Sequence, residues 1–415
     1  MTTATSSQTR FDLFAQTAPG LEPVTAAELK GLKLKPRKEP GGVAFRGDLE
    51  QLYEANLWLR TATRIVVRVG SFYASTFAEL ERRAQKIAWE NFLPRDGFVR
   101  VRVTCRKSRL YHSDAVAERI LKAIIRVAPR GVKMASADEG ADDGGTADEG
   151  SPNEAGSQLF IVRIVNDQCE ISADSSGALL HRRGYRLEVA KAPLRETLAA
   201  AMVLACGWTG GSDLLDPLCG SGTIPIEAAL IARRVAPGMN RDFQFSHWPS
   251  FSSGTWDRVR DRARARAIPV GESRIVGADR DAGAIEAAKR NATRAGVADS
   301  VEFETSSLSG SIAGIPDTRP SGWILTNPPY GIRVGESGEL RNLYATLGSA
   351  SLKSGWNLGI LSTDEALARQ LKLPLRRRLR TQNGGIPVDF LVSKKVSESA
   401  ESFEDAGVEN ETRNV

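Results

Sequence analysis

Asn327-Pro328-Pro329-Tyr330 follows the apolar run Trp323-Ile324-Leu325-Thr326 and carries the atoms needed to grip a planar exocyclic amine. The Asn327 amide oxygen and the Pro328 main-chain carbonyl can each accept one amine hydrogen. Such a nitrogen is a poor nucleophile because its lone pair is delocalised into the base. Two acceptors pull it toward tetrahedral geometry and free that pair for attack. Pro328 and Pro329 stiffen the loop before a base arrives. Tyr330 offers a flat face on which an extruded base can stack. The plain alternative is a proline-rich turn after a buried strand, so the chemistry needs a second site.

Asp213-Leu214-Leu215-Asp216-Pro217-Leu218-Cys219-Gly220-Ser221-Gly222-Thr223 supplies one: a short apolar strand, an acid, and a Gly-Ser-Gly loop. Ile224–Ala232 then reads as a helix with Pro225 in its first turn, where proline is tolerated. Strand, glycine turn and helix open the cofactor site of a doubly wound α/β fold. Gly220 and Gly222 let backbone approach a ligand, and the helix N-terminus favours an anionic group. No lysine follows the glycines, as a P-loop requires. A dinucleotide fingerprint wants a third glycine and an acid about 20 residues on. Here position 225 is Pro, and the next strand-end acid, Asp279 in Gly277-Ala278-Asp279-Arg280-Asp281, comes 57 residues after Gly222. S-adenosylmethionine fits better, with Asp216 reaching the methionine ammonium and Asp279 the ribose hydroxyls.

The elements that position these residues carry a resemblance. Asp-Pro-Leu-Cys-Gly-Ser-Gly-Thr, Gly-Ala-Asp-Arg-Asp and Thr-Asn-Pro-Pro-Tyr-Gly resemble motifs of class I methyltransferases that modify base amines in RNA. His181-Arg182-Arg183-Gly184-Tyr185-Arg186 and Ala192-Pro193-Leu194-Arg195-Glu196-Thr197 resemble the THUMP-containing guanine-N2 methyltransferases. Within that family, the N-terminal methyltransferase half of the bacterial 23S ribosomal RNA enzymes is the nearest likeness. Phe11–Ala15, Pro19–Glu22 and Gly41–Phe45 resemble its opening, so the likeness spans roughly residues 10–396. It implies a Rossmann-like class I methyltransferase domain behind a ferredoxin-like plus THUMP α/β RNA-binding region. It also implies cofactor contacts at Leu194 and Thr197. Where the family has an aspartate accepting from the adenine amine, this chain offers Ser307, a weaker neutral partner.

Periodicity gives the layout. Helices are expected over Pro23–Leu32, Leu49–Leu59, Phe77–Ile87 and Ser113–Val127, with strands at Arg64–Val69 and Phe98–Thr104. Gln158–Asn166 and Cys169–Ser175 read as a hairpin turning at Asp167-Gln168. Catalytic strands fall near 213–216, 274–279, 300–304, 322–326, 356–361 and 388–394, the last two an antiparallel edge. The expected domains are 1–52 (ferredoxin-like), 53–175 (THUMP, with an acidic insertion at 134–156), a linker at 176–191, the methyltransferase domain at 192–396, and a tail at 397–415.

Charge points to the partner. The insertion carries −7 and the tail −5; setting them aside leaves +18 on the body of a chain whose formal charge is +6. That is the footprint of a polyanion such as RNA. Both acidic segments read as disordered. Arg106, Lys107, Arg109 and Tyr111 form a candidate RNA contact, extended by Arg119, Lys122 and Arg126 along the next helix. Arg182, Arg183 and Arg186 in the linker are candidates too, and Arg376, Arg377, Arg378 and Arg380 precede the final hairpin. Phe243, Phe245, His247, Trp248, Phe251 and Trp256 either wall the base pocket or, more simply, fill a satellite core.

The 415 residues, 41% apolar, suit two or three domains, and no apolar run is long enough to cross a membrane. Four scattered cysteines and three distant histidines suggest a reduced cytoplasmic protein and no metal. The expected activity is S-adenosylmethionine-dependent methylation of guanine N2 in RNA, ribosomal RNA favoured. Transfer RNA is the alternative, then DNA amino-methylation, then an RNA-binding protein with an inactive methyltransferase domain.

Overall fold

The computed structural model describes residues 10–93, 97–129, 132–134, 157–188, 194–315, 322–329 and 337–393. The acidic insertion beyond Met134, the tail and Tyr330 lie outside them. A βαββαβ unit opens the chain: β1 Phe11–Thr17, a helix Glu22–Gly31, β2 Arg37–Glu39, β3 Gly42–Gly47, a helix Leu49–Trp58, and β4 Ala62–Tyr73. Its strand order β2-β3-β1-β4 is ferredoxin-like. Asp48 starts the second helix through a reciprocal capping box with Gln51.

β5 Gly97–Arg106, β6 Val132–Met134, β7 Gln158–Val165 and β8 Gln168–Asp174 extend the same sheet to eight strands, in the order β2-β3-β1-β4-β8-β7-β5-β6. The join is β4, whose 12 residues pair with β1 at one end and with β8 at the other. The expected hairpin forms between β7 and β8, but its turn is Asn166-Asp167, one residue earlier than the sequence suggested. Both residues have positive φ (51° and 64°), as a two-residue turn matching the strand twist requires. Asn and Asp tolerate that conformation; Gln168 instead enters the ladder.

The second sheet holds β9 Asp213–Asp216, β10 Ile275–Asp279, β11 Glu302–Thr305, β12 Gly322–Thr326, β13 Asn357–Ser362, β14 Arg376–Asn383 and β15 Ile386–Val392. Their order is β11-β10-β9-β12-β13-β15-β14, with β9 to β13 parallel and β15 antiparallel to both neighbours. The arginines expected to precede the final hairpin form its first strand. An edge strand accommodates such charge because its outer side faces water, and the charge discourages edge-to-edge association. Connections leave β9 in one direction through β10 and return through β12, so the topological switch lies between β9 and β12. Ligands of open α/β sheets bind outside the carboxyl ends of strands at such a point.

The aromatic insertion packs against the N-terminal unit, with His247 exposed. Phe245 stacks on Tyr53 of the N-terminal unit at 4.4 Å between centroids, and Trp256 meets the same Tyr53 edge-on at 5.7 Å. Trp248 Nε1 donates to Gln158 Oε1 at 2.7 Å, and the Phe245 amide donates to the Ser175 carbonyl at 3.0 Å. Each buried ring contributes about 1.5–3 kcal/mol through its apolar area. No helix among the described residues is long and apolar enough to cross a membrane.

Candidate active site

β9 and β12 are hydrogen-bonded neighbours in parallel register, Trp323 against Leu214 and Ile324 against Leu215. Their carboxyl ends therefore deliver the Gly-Ser-Gly loop and Asn327 side by side. The link between the loops is direct. Thr326 Oγ1 donates to Asp216 Oδ1 at 2.7 Å, and the Leu218 amide donates to the same oxygen at 3.2 Å. Asp216 and Thr326 are buried. Burial pushes the Asp216 carboxyl up to about 7, against the two donors that favour its charged form. Through Oδ1, Asp216 ties the end of β12 to the loop after β9.

Beyond Thr326 the chain runs through half-buried Asn327, buried Pro328 and exposed Pro329. The stacking role expected of Tyr330 concerns a residue outside the described ones.

The cofactor loop is held by main chain. Gly220 N donates to Asp279 Oδ2 at 2.9 Å, Cys219 N to the Ala278 carbonyl at 2.9 Å, and Gly222 N to the Cys219 carbonyl at 2.9 Å. Gly220 and Gly222 both take positive φ (53° and 83°). A Cβ on Gly222 would stand 2.9 Å from the Ala288 Cβ and from the Phe303 ring, so no larger residue fits there. The helix Thr223–Ala232 then starts without a side-chain cap and without an acid in its first turn. Its leading amides are available to an anionic group, and the helix dipole favours one there.

Asp279 ends β10 with its carboxylate accepting from Gly220 N and, at 3.0 Å, from Asp281 N. A carboxylate has about four acceptor positions, so two are left for vicinal hydroxyls. An open helix start for a carboxylate, a strand-end acid for a ribose and a loop with no room for a Cβ at Gly222 fit S-adenosylmethionine. Pro217 and Cys219 are buried in the loop, Ser221 and Thr223 at its end, and Arg280 is exposed beside Asp279. Burial raises the Cys219 thiol well above its ordinary range, with Asp216 and Asp279 adding to the effect, so it stays protonated.

Ser307 caps a short helix, its Oγ accepting from the Gly310 amide at 3.2 Å. Leu194 and Thr197 are buried; Thr197 sits in the helix Glu196–Ala205, which packs on the helix after the loop. Two supporting residues escaped the sequence reading. One is Thr326; the other is Asn291, fully buried, whose Nδ2 donates to the Ser221 carbonyl at 3.1 Å and to the Glu188 carbonyl at 3.1 Å. The signal was one amide beside the apolar face Ile285, Ala288, Ala292 and Ala295 of a helix.

The linker arginines need correction. Arg183 was expected on RNA but is buried, in an ion pair with Glu227 at 3.1 Å, and it donates to the Arg60 carbonyl at 2.6 Å. Glu227 also accepts from Tyr185 at 2.8 Å, while Arg60 donates to the Val235 carbonyl at 2.6 Å. A buried charge is kept only where partners surround it, and these partners join the two sheets' domains. Arg186, largely covered, pairs with Glu196 at 3.1 Å and donates to the Leu194 carbonyl. Only Arg182 of the three is exposed.

Arg106, Lys107, Arg109 and Tyr111 are all exposed, Tyr111 by 69%, with its ring 4.0 Å from that of His112. On the following helix Arg119 is paired with Glu81 and Lys122 with Glu118, at 2.7 and 2.6 Å. That helix face is thus partly neutralised.

His181, beside this linker, is buried, and burial together with Arg195, Arg186, Arg182 and Arg183 holds it down to about 3. A depressed histidine contributes stability that is present above about 6.5 and is lost as pH falls toward 3, because the unfolded chain takes the proton first. In His181→Gln, the stability lost between pH 7.5 and pH 5 is expected to shrink by about 2 kcal/mol relative to the parent. Urea unfolding at the two pH values measures it, and an unchanged loss would refute the buried neutral imidazole.

Comparison with known proteins agrees with this geometry. Residues 183–390 match the RMKL-like methyltransferase domain, residues 12–66 the RlmL ferredoxin-like domain, and residues 74–138 the THUMP domain. The chain is 34% identical to YpsC of Bacillus subtilis, provisionally named an RNA methyltransferase, over 92% of this chain and 95% of that one. It is 36% identical to the ribosomal RNA large subunit methyltransferase K/L of Syntrophotalea carbinolica, over 91% of this chain and 53% of that one. The chain therefore spans about half the length of that relative. A crystal structure of SMU.472, a methyltransferase by provisional title, complexed with SAH, superposes with a TM-score of 0.80 at 30% identity, covering 94% of this chain and 99% of that one.

Proposed function

The chain belongs to the RMKL-like methyltransferase family, and from that premise we propose that it methylates the N2 amine of a guanine in large-subunit ribosomal RNA. It is an S-adenosylmethionine-dependent methyltransferase with an RNA-binding THUMP domain. The observation that supports the reading is the tie from Thr326 to Asp216, which joins the strand leading to Asn327 and Pro328 to the start of the cofactor loop. When bound, S-adenosylmethionine supplies an electrophilic methyl group.

The protein's own residues do the rest. Asp279 and the amides at the start of Thr223–Ala232 orient the cofactor, and the glycine loop lets it lie close to the backbone. The Asn327 and Pro328 carbonyl oxygens take the two hydrogens of the base amine, so positioning and local electrostatics lower the barrier. Methyl transfer is direct from sulfur to the amine nitrogen, and burial holds the Cys219 thiol in its protonated form beside the loop. The proton of the methylated nitrogen passes to solvent, since that nitrogen is acidic once alkylated. The exposed Tyr111 with Arg106, Lys107 and Arg109 supports RNA as the partner, with positioning by charge and stacking by the ring. Ribosomal RNA as substrate would place the protein in the cytoplasm.

The test is nucleoside mass analysis after incubating the purified chain and methyl-labelled cofactor with undermodified ribosomal RNA, transfer RNA and DNA. Labelled N2-methylguanosine in the large-subunit RNA is the expected result. Label confined to transfer RNA would replace the substrate, and label on adenine or cytosine would overturn the guanine assignment.

A further inference from the structure

A cavity of about 580 Å³ opens in the N-terminal ferredoxin-like unit and shares no residue with the loops after β9 and β12. Five cations line it, Arg10, Lys33, Lys35, Arg37 and Arg46, against the single acid Asp12. They come from four separate pieces of chain: the residue before β1, the segment after the first helix, β2 and β3. Arg37 pairs with Glu39 at 2.6 Å, and Asp12 stands opposite Arg46 in the β1–β3 register. Lys33 and Lys35 have no acidic partner among the described residues and are exposed. Leu34 and Phe45 border the cavity as well, with their side chains packed in the core.

A second observation concerns Lys33 itself. It closes the helix Glu22–Gly31, its amide donating to the Lys30 carbonyl and the next amide to the Leu29 carbonyl. There it adopts φ 61°, the left-handed conformation that favours glycine at a helix end. A lysine at this position costs stability that glycine would not, as it does for Arg234 and Lys372 after other helices. The turn brings Lys33 and Lys35 onto the same cavity wall.

We propose that this cavity is a separate RNA contact, seating phosphodiester groups of the substrate away from the nucleotide being modified. Lys33, Lys35 and Arg46 hold the phosphates. Such contacts set register without reading sequence. The inference rests on the RNA reading above and adds a second point of attachment to the surface around Tyr111. Two attachment points on one rigid sheet raise the effective concentration of the substrate strand at the catalytic loop.

The experiment uses the full chain carrying Lys33→Gly, Lys35→Ala and Arg46→Ala. Glycine suits the backbone at position 33, and cofactor binding reports that the variant is folded. Affinity for a labelled single-stranded oligoribonucleotide is measured across a salt series. Loss of three phosphate contacts is expected to weaken binding by about 100-fold at about 0.1 M salt and to make the log–log salt slope shallower by about 2. Cofactor affinity is expected to stay at the parent value. If the parent binds the RNA and the variant matches it in affinity and slope, the cavity inference alone falls. If the parent itself does not bind RNA, the functional reading falls and takes the cavity with it.

Discussion

In Asn327→Ala, kcat is expected to fall by about 100-fold to about 1000-fold, while the dissociation constant for S-adenosylmethionine moves by less than about twofold. The asymmetry follows from the architecture. Asn327 lies one residue beyond β12, whereas the cofactor contacts lie on the loop after β9, the end of β10 and the start of the helix Thr223–Ala232. Removing one of two acceptors therefore leaves the cofactor seat intact and removes stabilisation realised as the amine nitrogen pyramidalises. Asn327→Gln keeps the amide but displaces it by one methylene, and an error of about 1 Å costs about 100-fold. Single-turnover methyl transfer with a parallel calorimetric titration of the cofactor separates the two effects. Equal losses in both would remove Asn327 from the chemistry and make it a structural residue of the loop.

Asp216→Ala is expected to damage both activities and the fold. The substitution strips the acceptor from the Thr326 hydroxyl and the Leu218 amide, both in the enclosed join between the loops. Orphaned buried donors cost about 1–3 kcal/mol each, so stability should drop by roughly 2–5 kcal/mol. Asp216→Asn is the informative partner, because its amide oxygen can still accept both hydrogen bonds. It also removes an ionisation whose sign is unusual for a carboxylate. The folded Asp216 is raised from 3.8 to about 7 by burial, so its contribution is greatest below about 3.8 and is lost as pH rises through 7. The parent should therefore lose roughly 4 kcal/mol from this group between pH 4 and pH 8, a loss absent in Asp216→Asn. Chemical unfolding of parent and variant at both pH values tests it. A parallel pH dependence in the two proteins would show that Asp216 does not carry a raised ionisation in the folded state.

The contrast between Asp216 and Asp279 shows what could and could not be read in advance. In sequence both are acids at the end of an apolar strand, and both were expected to face the cofactor. In the folded chain Asp279 sits half-buried with each oxygen accepting from a main-chain amide, whereas Asp216 is buried and its Oδ1 accepts from Thr326 on the neighbouring strand. Strand periodicity assigns a residue to a face of the sheet. It does not say which strand will lie alongside, and that neighbour is contributed by residues 110 positions later. The same limit applies to Arg183. A run of basic residues in a linker suggests an RNA contact, yet its partner Glu227 sits on the buried helix after the glycine loop.

Local chemistry was legible where the chain itself enforces it. The strand–glycine loop–helix opening, the strand-end acid and the proline-stiffened Asn327 loop are fixed by backbone rules acting within about ten residues. The residue spacing of those motifs therefore determined the reaction class, the cofactor and the likeness of the fold. The tertiary structure decided the rest: that β9 and β12 are neighbours, that one eight-stranded sheet unites the N-terminal strands, and that the aromatic insertion locks onto Tyr53. The physical reason is range. Propensity and turn chemistry act along the chain, whereas burial and ion pairing act through space and bind residues whose separation in sequence leaves no periodic trace.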